Sequence, residues 1–183
     1  MYLSAFIGTS LDGYIARLNG ALDFLPADGG EPHGYVEFMA TVDALLIGRK
    51  TYETVLGFDE WPYSEKRVFV LSSRALAPPP SAAVVEHLDG APADIVSKLD
   101  SRGMRHIYID GGITIQRFLR EKLVQRLIIT RVPVLIGEGI PLFGTIPEDI
   151  RLRHLATRNF RSGLVQSEYH LAETPEGSIP PLW

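Results

Sequence analysis

Four short segments group residue types that bind phosphates or move protons. They are Ser10-Leu11-Asp12-Gly13-Tyr14-Ile15-Ala16, Gly48-Arg49-Lys50-Thr51-Tyr52-Glu53, Leu71-Ser72-Ser73-Arg74 and Ile109-Asp110-Gly111-Gly112. Paired glycines such as Gly111 and Gly112 let a backbone approach a pyrophosphate. If a helix follows them, its free amides and its dipole favour the anion. Arg49, Lys50, Thr51, Ser73 and Arg74 supply donors and positive charge for a further phosphate. Each segment also has a plainer reading. Gly-Gly makes a turn, Gly-Arg-Lys-Thr starts a helix with a solvated basic face, and Ser-Ser-Arg caps a strand end. Among the carboxylates, Asp110 either carries chemistry or caps the next helix, and Asp12 either meets a substrate or shapes an Asx-type turn. Glu37 is a second acid candidate or a solvated helical residue, and Glu138 touches a ribose or only solvent. The chain holds no G-x-G-x-x-G and no G-x-x-x-x-G-K-[ST], so neither common nucleotide fingerprint applies.

The elements that must position these residues alternate between β-rich runs and helical stretches, which favours an α/β domain with a largely parallel sheet. Strands are expected over residues 2–8, 44–47, 67–71, 84–86, 106–109, 124–136 and 164–171. Helices are expected over 35–41, 49–56, 93–101 and 114–121, the first from the spacing of Tyr35, Phe38, Met39 and Val42. Residues 9–34 read as a polar, glycine-containing loop, and the last strand reads as an antiparallel edge. With this order, three of the four segments fall where a strand ends and a loop or helix begins, the place where open α/β sheets bind ligands.

Composition narrows the function classes. The 183 residues suit one domain, 45% of them hydrophobic and 22% charged, as in ordinary globular proteins. A net charge of −4 argues against an electrostatic nucleic-acid binder. No cysteine is present, which excludes disulfides, thiolate metal sites and cysteine nucleophiles. The five histidines lack the spacing of a helix-borne metal site. No apolar run is long enough to span a bilayer, and the N-terminus lacks the basic region of a signal peptide, so a cytoplasmic location is the default expectation.

Taken together, the four segments resemble the dihydrofolate reductase superfamily, and more closely the reductase domain of bacterial riboflavin biosynthesis. Ser-Leu-Asp-Gly followed by Ile-Ala looks like the end of that family's first strand, and Gly-Arg-Lys-Thr-Tyr-Glu is similar to the segment beside the cofactor's adenosine phosphate. Asp-Gly-Gly with Phe118-Leu119 looks like the pyrophosphate loop and its helix. The stretch from Thr130 to Phe143, TRVPVLIGEGIPLF, is very like the long strand and closing loop of the riboflavin-type domain. The resemblance implies a three-layer α/β fold, with a mostly parallel central sheet and an antiparallel C-terminal edge strand, over residues 1–173, followed by a loose tail over 174–183. It implies NADPH as cofactor. Gly8 and Ile15 would bracket the nicotinamide, Arg49, Lys50, Thr51, Ser73 and Arg74 would surround the 2′-phosphate, and Gly111, Gly112 and Thr114 would hold the pyrophosphate. Asp110, with Glu37 as the alternative, would supply the acid, and Asp12, Thr130 and Glu138 would lie near substrate. Leu25-Pro26-Ala27-Asp28 copies a dihydrofolate reductase string, but glycines rather than a helix follow it, and it reads as coincidence.

Two departures from the riboflavin pattern bear on substrate. The zinc deaminase domain of the bifunctional enzyme is absent, and so is the Ser-x-Trp string after the first strand. The leading expectation is a reductase of a 5-amino-6-(5-phosphoribosylamino)uracil-like compound. The alternatives are a dihydrofolate or pterin reductase and a non-catalytic NADPH-binding module. A homodimer is expected from the resemblance, with Leu127-Ile128-Ile129 and the Pro180-to-Trp183 tail as candidate contacts; the plainer reading makes the strand core and the tail disordered.

Overall fold

The computed structural model describes residues 1–26, 31–63, 65–81 and 83–182. Ala27, Asp28 and Trp183, named above, lie outside the described residues, as do the glycines that follow Asp28.

Among the described residues, ten strands and four helices follow in chain order: β1 (Tyr2–Ser10), β2 (Tyr14–Ala16), α1 (Tyr35–Thr41), β3 (Ala44–Gly48), α2 (Arg49–Leu56), β4 (Arg67–Leu71), β5 (Val84–Leu88), α3 (Pro92–Ser101), β6 (His106–Asp110), α4 (Gly112–Arg120), β7 (Arg126–Val132), β8 (Ile140–Pro141), β9 (Leu152–Asn159) and β10 (Val165–Leu171). Eight strands form one sheet in the order β5-β4-β3-β6-β1-β7-β10-β9. From β5 to β7 every pairing is parallel, and β10 and β9 add an antiparallel end.

The alternation of side chains along each strand divides the core into two layers. Leu3, Leu46, Phe69, Ile107, Ile109 and Leu127 face α3 and α4, which bring Ile95, Leu99, Ile115 and Phe118. Phe6, Leu45, Ile47, Val68, Val70, Tyr108 and Ile128 face α1 and α2, which bring Phe38, Val42, Tyr52 and Val55. Burying each large apolar side chain contributes roughly 1.5–3 kcal/mol, so the two layers hold the parallel strand ends in fixed register. This is the three-layer α/β architecture the resemblance implied.

Four details differ from the sequence reading. The stretch read as one loop contains β2, which pairs with β8 in a small separate ribbon. The long strand stops at Val132, because Pro133 has no N–H to continue the ladder. The antiparallel end is two strands wide, with the unpredicted β9 outermost; its exposed, arginine-rich sequence hides the alternation expected of a strand. Leu127, Ile128 and Ile129 are buried within the chain, so they offer no free face to a partner. Within 174–182, Thr174 and Ile179 are buried and Leu182 packs against the layer beside α1 and α2. Among the described residues, no helix is long and apolar enough to cross a membrane.

Candidate active site

The carboxyl ends of the parallel strands bring the four segments together. In register, Gly48 of β3 sits beside Leu71 of β4, Ile47 beside Asp110 of β6, and Gly8 of β1 beside Thr130 of β7. The helices α2 and α4 begin directly at two of these ends. Their starts meet so closely that side chains are excluded. A Cβ on Gly111 would lie 2.4 Å from Thr51 Oγ1, one on Gly48 2.6 Å from Thr114 Oγ1, and one on Gly112 2.9 Å from Ile15 Cδ1. Gly111 also adopts φ 97°, a conformation that favours glycine. The first-turn amides of α4 have no acceptor within the helix, so this glycine-lined junction offers donors to an anion. Thr51, Gly111, Gly112, Thr114 and Ile15 are therefore one cluster, although they lie far apart in sequence.

Next to it, the ends of β3 and β4 carry Arg49, Lys50, Ser73 and Arg74. Arg49 forms an ion pair with Glu53 one helical turn on. Ser73, Arg74 and Lys50 are exposed. The Ser72 hydroxyl donates to the Arg74 carbonyl at 2.7 Å and accepts from the Arg74 amide at 2.9 Å, which fixes the turn that presents Ser73 and Arg74.

On the α1 side, Asp110 closes β6. Its Oδ1 accepts from the Gly111 amide at 2.7 Å. Burial pushes its carboxyl up to about 6, against the opposing pull of that hydrogen bond. Tyr35, Tyr63 and Tyr108 face it, and each has its hydroxyl pushed up, first by burial and then by the Asp110 charge. Leu25 lies over Gly8, 3.0 Å from where a Cβ would stand. A carboxyl with a shifted titration, set beside aromatic walls and a glycine cradle, is a combination found at functional sites.

The family model for the RibD C-terminal domain matches residues 1–166. The chain belongs to that family. The structure of a Shewanella sp. PV-4 protein, provisionally assigned to riboflavin biosynthesis, is similar with a TM-score of 0.87 and 40% identity, covering 94% of this RibD C-terminal domain and all of that chain. A Thermotoga maritima diaminohydroxyphosphoribosylaminopyrimidine deaminase/5-amino-6-(5-phosphoribosylamino)uracil reductase shares the fold at TM-score 0.69 and 18% identity, over 93% of this chain and 56% of that one. Enterococcus faecalis dihydrofolate reductase complexed with NADP(H) does so at TM-score 0.64 and 19% identity, over 94% and 97%. This RibD C-terminal domain is thus a member of a reductase family with a dihydrofolate reductase-like fold.

The remaining candidates are placed less centrally. Asp12 is exposed, and its carboxylate accepts from the amides of Gly137 at 2.8 Å and Ile136 at 3.2 Å. A hydrogen bond from Ser10 comes first among the causes that hold it below the usual carboxylate range, ahead of those two amides. Its oxygens tie the end of β1 to the closing loop, which favours the turn-shaping reading. Thr130 is buried, and its Oγ1 accepts from Gln166 Nε2 at 2.9 Å. Glu138 is exposed in the closing loop, and Glu37 is exposed on the outer side of α1; the structure brings neither to Asp110. Sequence reasoning missed Tyr35, Tyr63 and Gln166. Tyr35 already belonged to the helical spacing that defined the buried face of α1, and that face was the available signal. A separate cavity of about 480 Å3, lined by Met1, Tyr2, Lys122, Gln125 and the start of the tail, contains none of the candidate residues.

Proposed function

We propose that this chain is an NADPH-dependent reductase that reduces a C=N or C=O group of a 5-amino-6-(5-phosphoribosylamino)uracil-like substrate, with Asp110 as the acid. The observation that carries this reading is Asp110 itself. It ends a buried strand directly beside the glycine junction, and burial pushes its carboxyl up to about 6.

The residues present fit the cofactor. The bare backbone of Gly48, Gly111 and Gly112 lies against Thr114, Thr51 and Ile15, and the helix-start amides and hydroxyls gathered there suit an anion. Gly111, Gly112 and Thr114 would hold the pyrophosphate. Arg49, Lys50, Thr51, Ser73 and Arg74 would hold the 2′-phosphate, which would favour NADPH over NADH. Gly8 and Ile15 would flank the nicotinamide. When bound, the cofactor supplies a hydride. The chain's own part is to orient the two ligands across the end of β1, to exclude water with Leu25, and to hold a proton on Asp110 for the substrate atom that gains electron density.

The phosphoribosylamino-uracil assignment draws on the Thr130-to-Phe143 segment and the family. The half-buried Tyr35 ring, edge-on to Phe6 at 5.5 Å, favours a second reading, a flat pterin ring. The test has two stages. Calorimetry first compares NADPH with NADH, expecting micromolar NADPH binding that weakens at least ~30-fold, about 2 kcal/mol, for NADH. NADPH oxidation is then followed with the phosphoribosylamino-uracil compound and with dihydrofolate. Binding without turnover of either would leave a non-catalytic NADPH-binding module, and no binding of either cofactor would remove the whole reading.

A further inference from the structure

Gln166 of β10 lies directly across from Thr130 of β7, and Thr130 in turn lies beside Gly8 of β1. The alternation along the strands puts all three on the sheet face that carries Phe6 and Ile128, the face that meets α1. Both polar side chains are buried. Over Gly8, the atoms within 4 Å of an added Cβ are the two methyls of Leu25. The Gln166 Nε2 donates to the His33 carbonyl at 3.0 Å and to Thr130 Oγ1 at 2.9 Å. A carbonyl only accepts, so the amide cannot be turned over without setting two acceptors against each other. Both N–H groups are thereby committed, and Thr130 is held as the acceptor of one of them. Its hydroxyl proton must point away from Gln166, and it is donated to no described residue. The Gln166 Oε1 is buried without a hydrogen-bond partner. Leaving that acceptor unpaired opposes folding, a penalty that a methionine in the same place would avoid.

We propose that Gln166 is a positioning residue for substrate choice: by donating to Thr130 Oγ1 it turns the Thr130 O–H toward the ligand, so that this point of the site takes a ring carbonyl and rejects an amino group. This rests on the reading of the chain as a reductase of a uracil-like compound. The argument is one of hydrogen-bond polarity. A free threonine hydroxyl donates or accepts, and so tolerates either group. With Gln166 occupying a lone pair and no described residue taking the proton, the hydroxyl is biased toward donating to the ligand. A carbonyl meets that proton. An amino group meets a donor with a donor, and one buried N–H is left unpaired. The bond to His33 adds a second constraint. It ties the segment that enters α1 to the same amide, so one side chain sets both the direction of the Thr130 proton and the wall that faces it.

The test is calorimetry on the full chain, with and without NADPH, using three probes. These are diaminouracil and its two counterparts in which one ring carbonyl or the other is replaced by an amino group. The wild-type chain is expected to bind diaminouracil and to bind one of the counterparts at least ~10-fold more weakly. In Gln166→Met, which has no N–H to give, the Thr130 hydroxyl is free to turn, and that gap is expected to shrink to less than ~3-fold. A merely structural role would weaken all three probes alike and leave the gap between them. An unchanged gap in Gln166→Met therefore overturns the proposal, and so does a wild-type chain that binds none of the probes or binds all three equally. Should Gln166→Met not fold, Thr130→Val decides. It keeps the shape of the side chain and removes the hydroxyl, so the gap must close there too, and a gap that persists overturns the proposal. Titration with NADPH alone keeps the two ideas apart. Failure of the wild-type chain to bind NADPH removes the reductase reading, whereas a gap that depends on Gln166 would still mark the ligand contact; NADPH binding with a gap indifferent to Gln166 would leave the reductase reading and remove this one.

Discussion

At the residue scale, the acid role proposed for Asp110 would set activity against stability. Its folded value, about 6 against an ordinary 3.8, means that the folded chain binds more protons than the unfolded one between these values. Folding stability therefore falls as pH rises through that window, and the cost at neutral pH is on the order of 3 kcal/mol. Asp110→Asn keeps an oxygen for the Gly111 amide but removes the buried charge. It is expected to raise the melting temperature at pH 7 while abolishing reduction; a variant that melted lower would mean that the charge stabilises the fold. In the active wild type, kcat should decline as pH rises through about 6, where Asp110 loses the proton it must deliver. Asp110 was legible in the sequence because it stands between a buried strand and a glycine pair. Its tyrosine neighbours were not, since α1, β6 and the segment after α2 meet only through tertiary packing. Glu37 lies on the solvent side of α1, the side that its plainer reading as a solvated residue assigned it.

At the element scale, the junction of α2 and α4 carries the cofactor proposal. Gly111→Ala would bring a Cβ to 2.4 Å from Thr51 Oγ1 at a φ of 97°. It is expected to cost roughly 1–3 kcal/mol of stability and to weaken NADPH binding more than ~10-fold; unchanged calorimetry would place the pyrophosphate elsewhere. Arg74→Ala should weaken NADPH by about tenfold, or ~1.4 kcal/mol, and leave NADH unaffected, and an equal loss for both would argue against a 2′-phosphate contact. Asp12→Ala should speed amide hydrogen exchange at Ile136 and Gly137, which lose their acceptor. The parallel strands and helices were legible because their apolar runs are bounded by glycine, serine and proline. The β2–β8 ribbon was not, since two or three residues carry no periodicity and each strand exists only because the other is nearby. The outermost strand escaped for a similar reason: its neighbour β10 imposes the extended conformation that its own sequence does not announce.

At the scale of the whole molecule, two titratable groups at opposite ends of β6, the buried His106 and the half-buried Asp110, oppose each other. His106 contacts Ser4 Oγ through Nε2 at 2.9 Å and the Thr41 carbonyl through Nδ1 at 3.0 Å, and burial lowers it to about 4. Its lowered value makes stability fall as pH drops through 6.5 to 4, while the raised value of Asp110 makes stability rise over nearly the same interval. Most of the two slopes cancels in the wild-type chain. In Asp110→Asn the His106 slope, about 1.4 kcal/mol per pH unit, is no longer offset and the lowered His170 adds to it, so denaturant unfolding between pH 4.5 and 6.5 should reveal a clear slope; a flat profile in that variant would show that His106 titrates normally. The sheet order has a further consequence, for how the chain is made. The strand β1 lies inside the sheet, between partners that begin at His106 and Arg126 and follow it in the chain. A ribosome delivers β3, β4 and β5 long before either partner exists, so the nascent N-terminal segment, apolar on both faces, must wait unpaired while more than half of the protein is translated. Non-local pairing of this kind is slow and exposed to aggregation. A circular permutant that begins at β6 and carries β1 after β10 would place both partners ahead of the strand they need, and would be expected to depend less on chaperones during synthesis than the natural chain order.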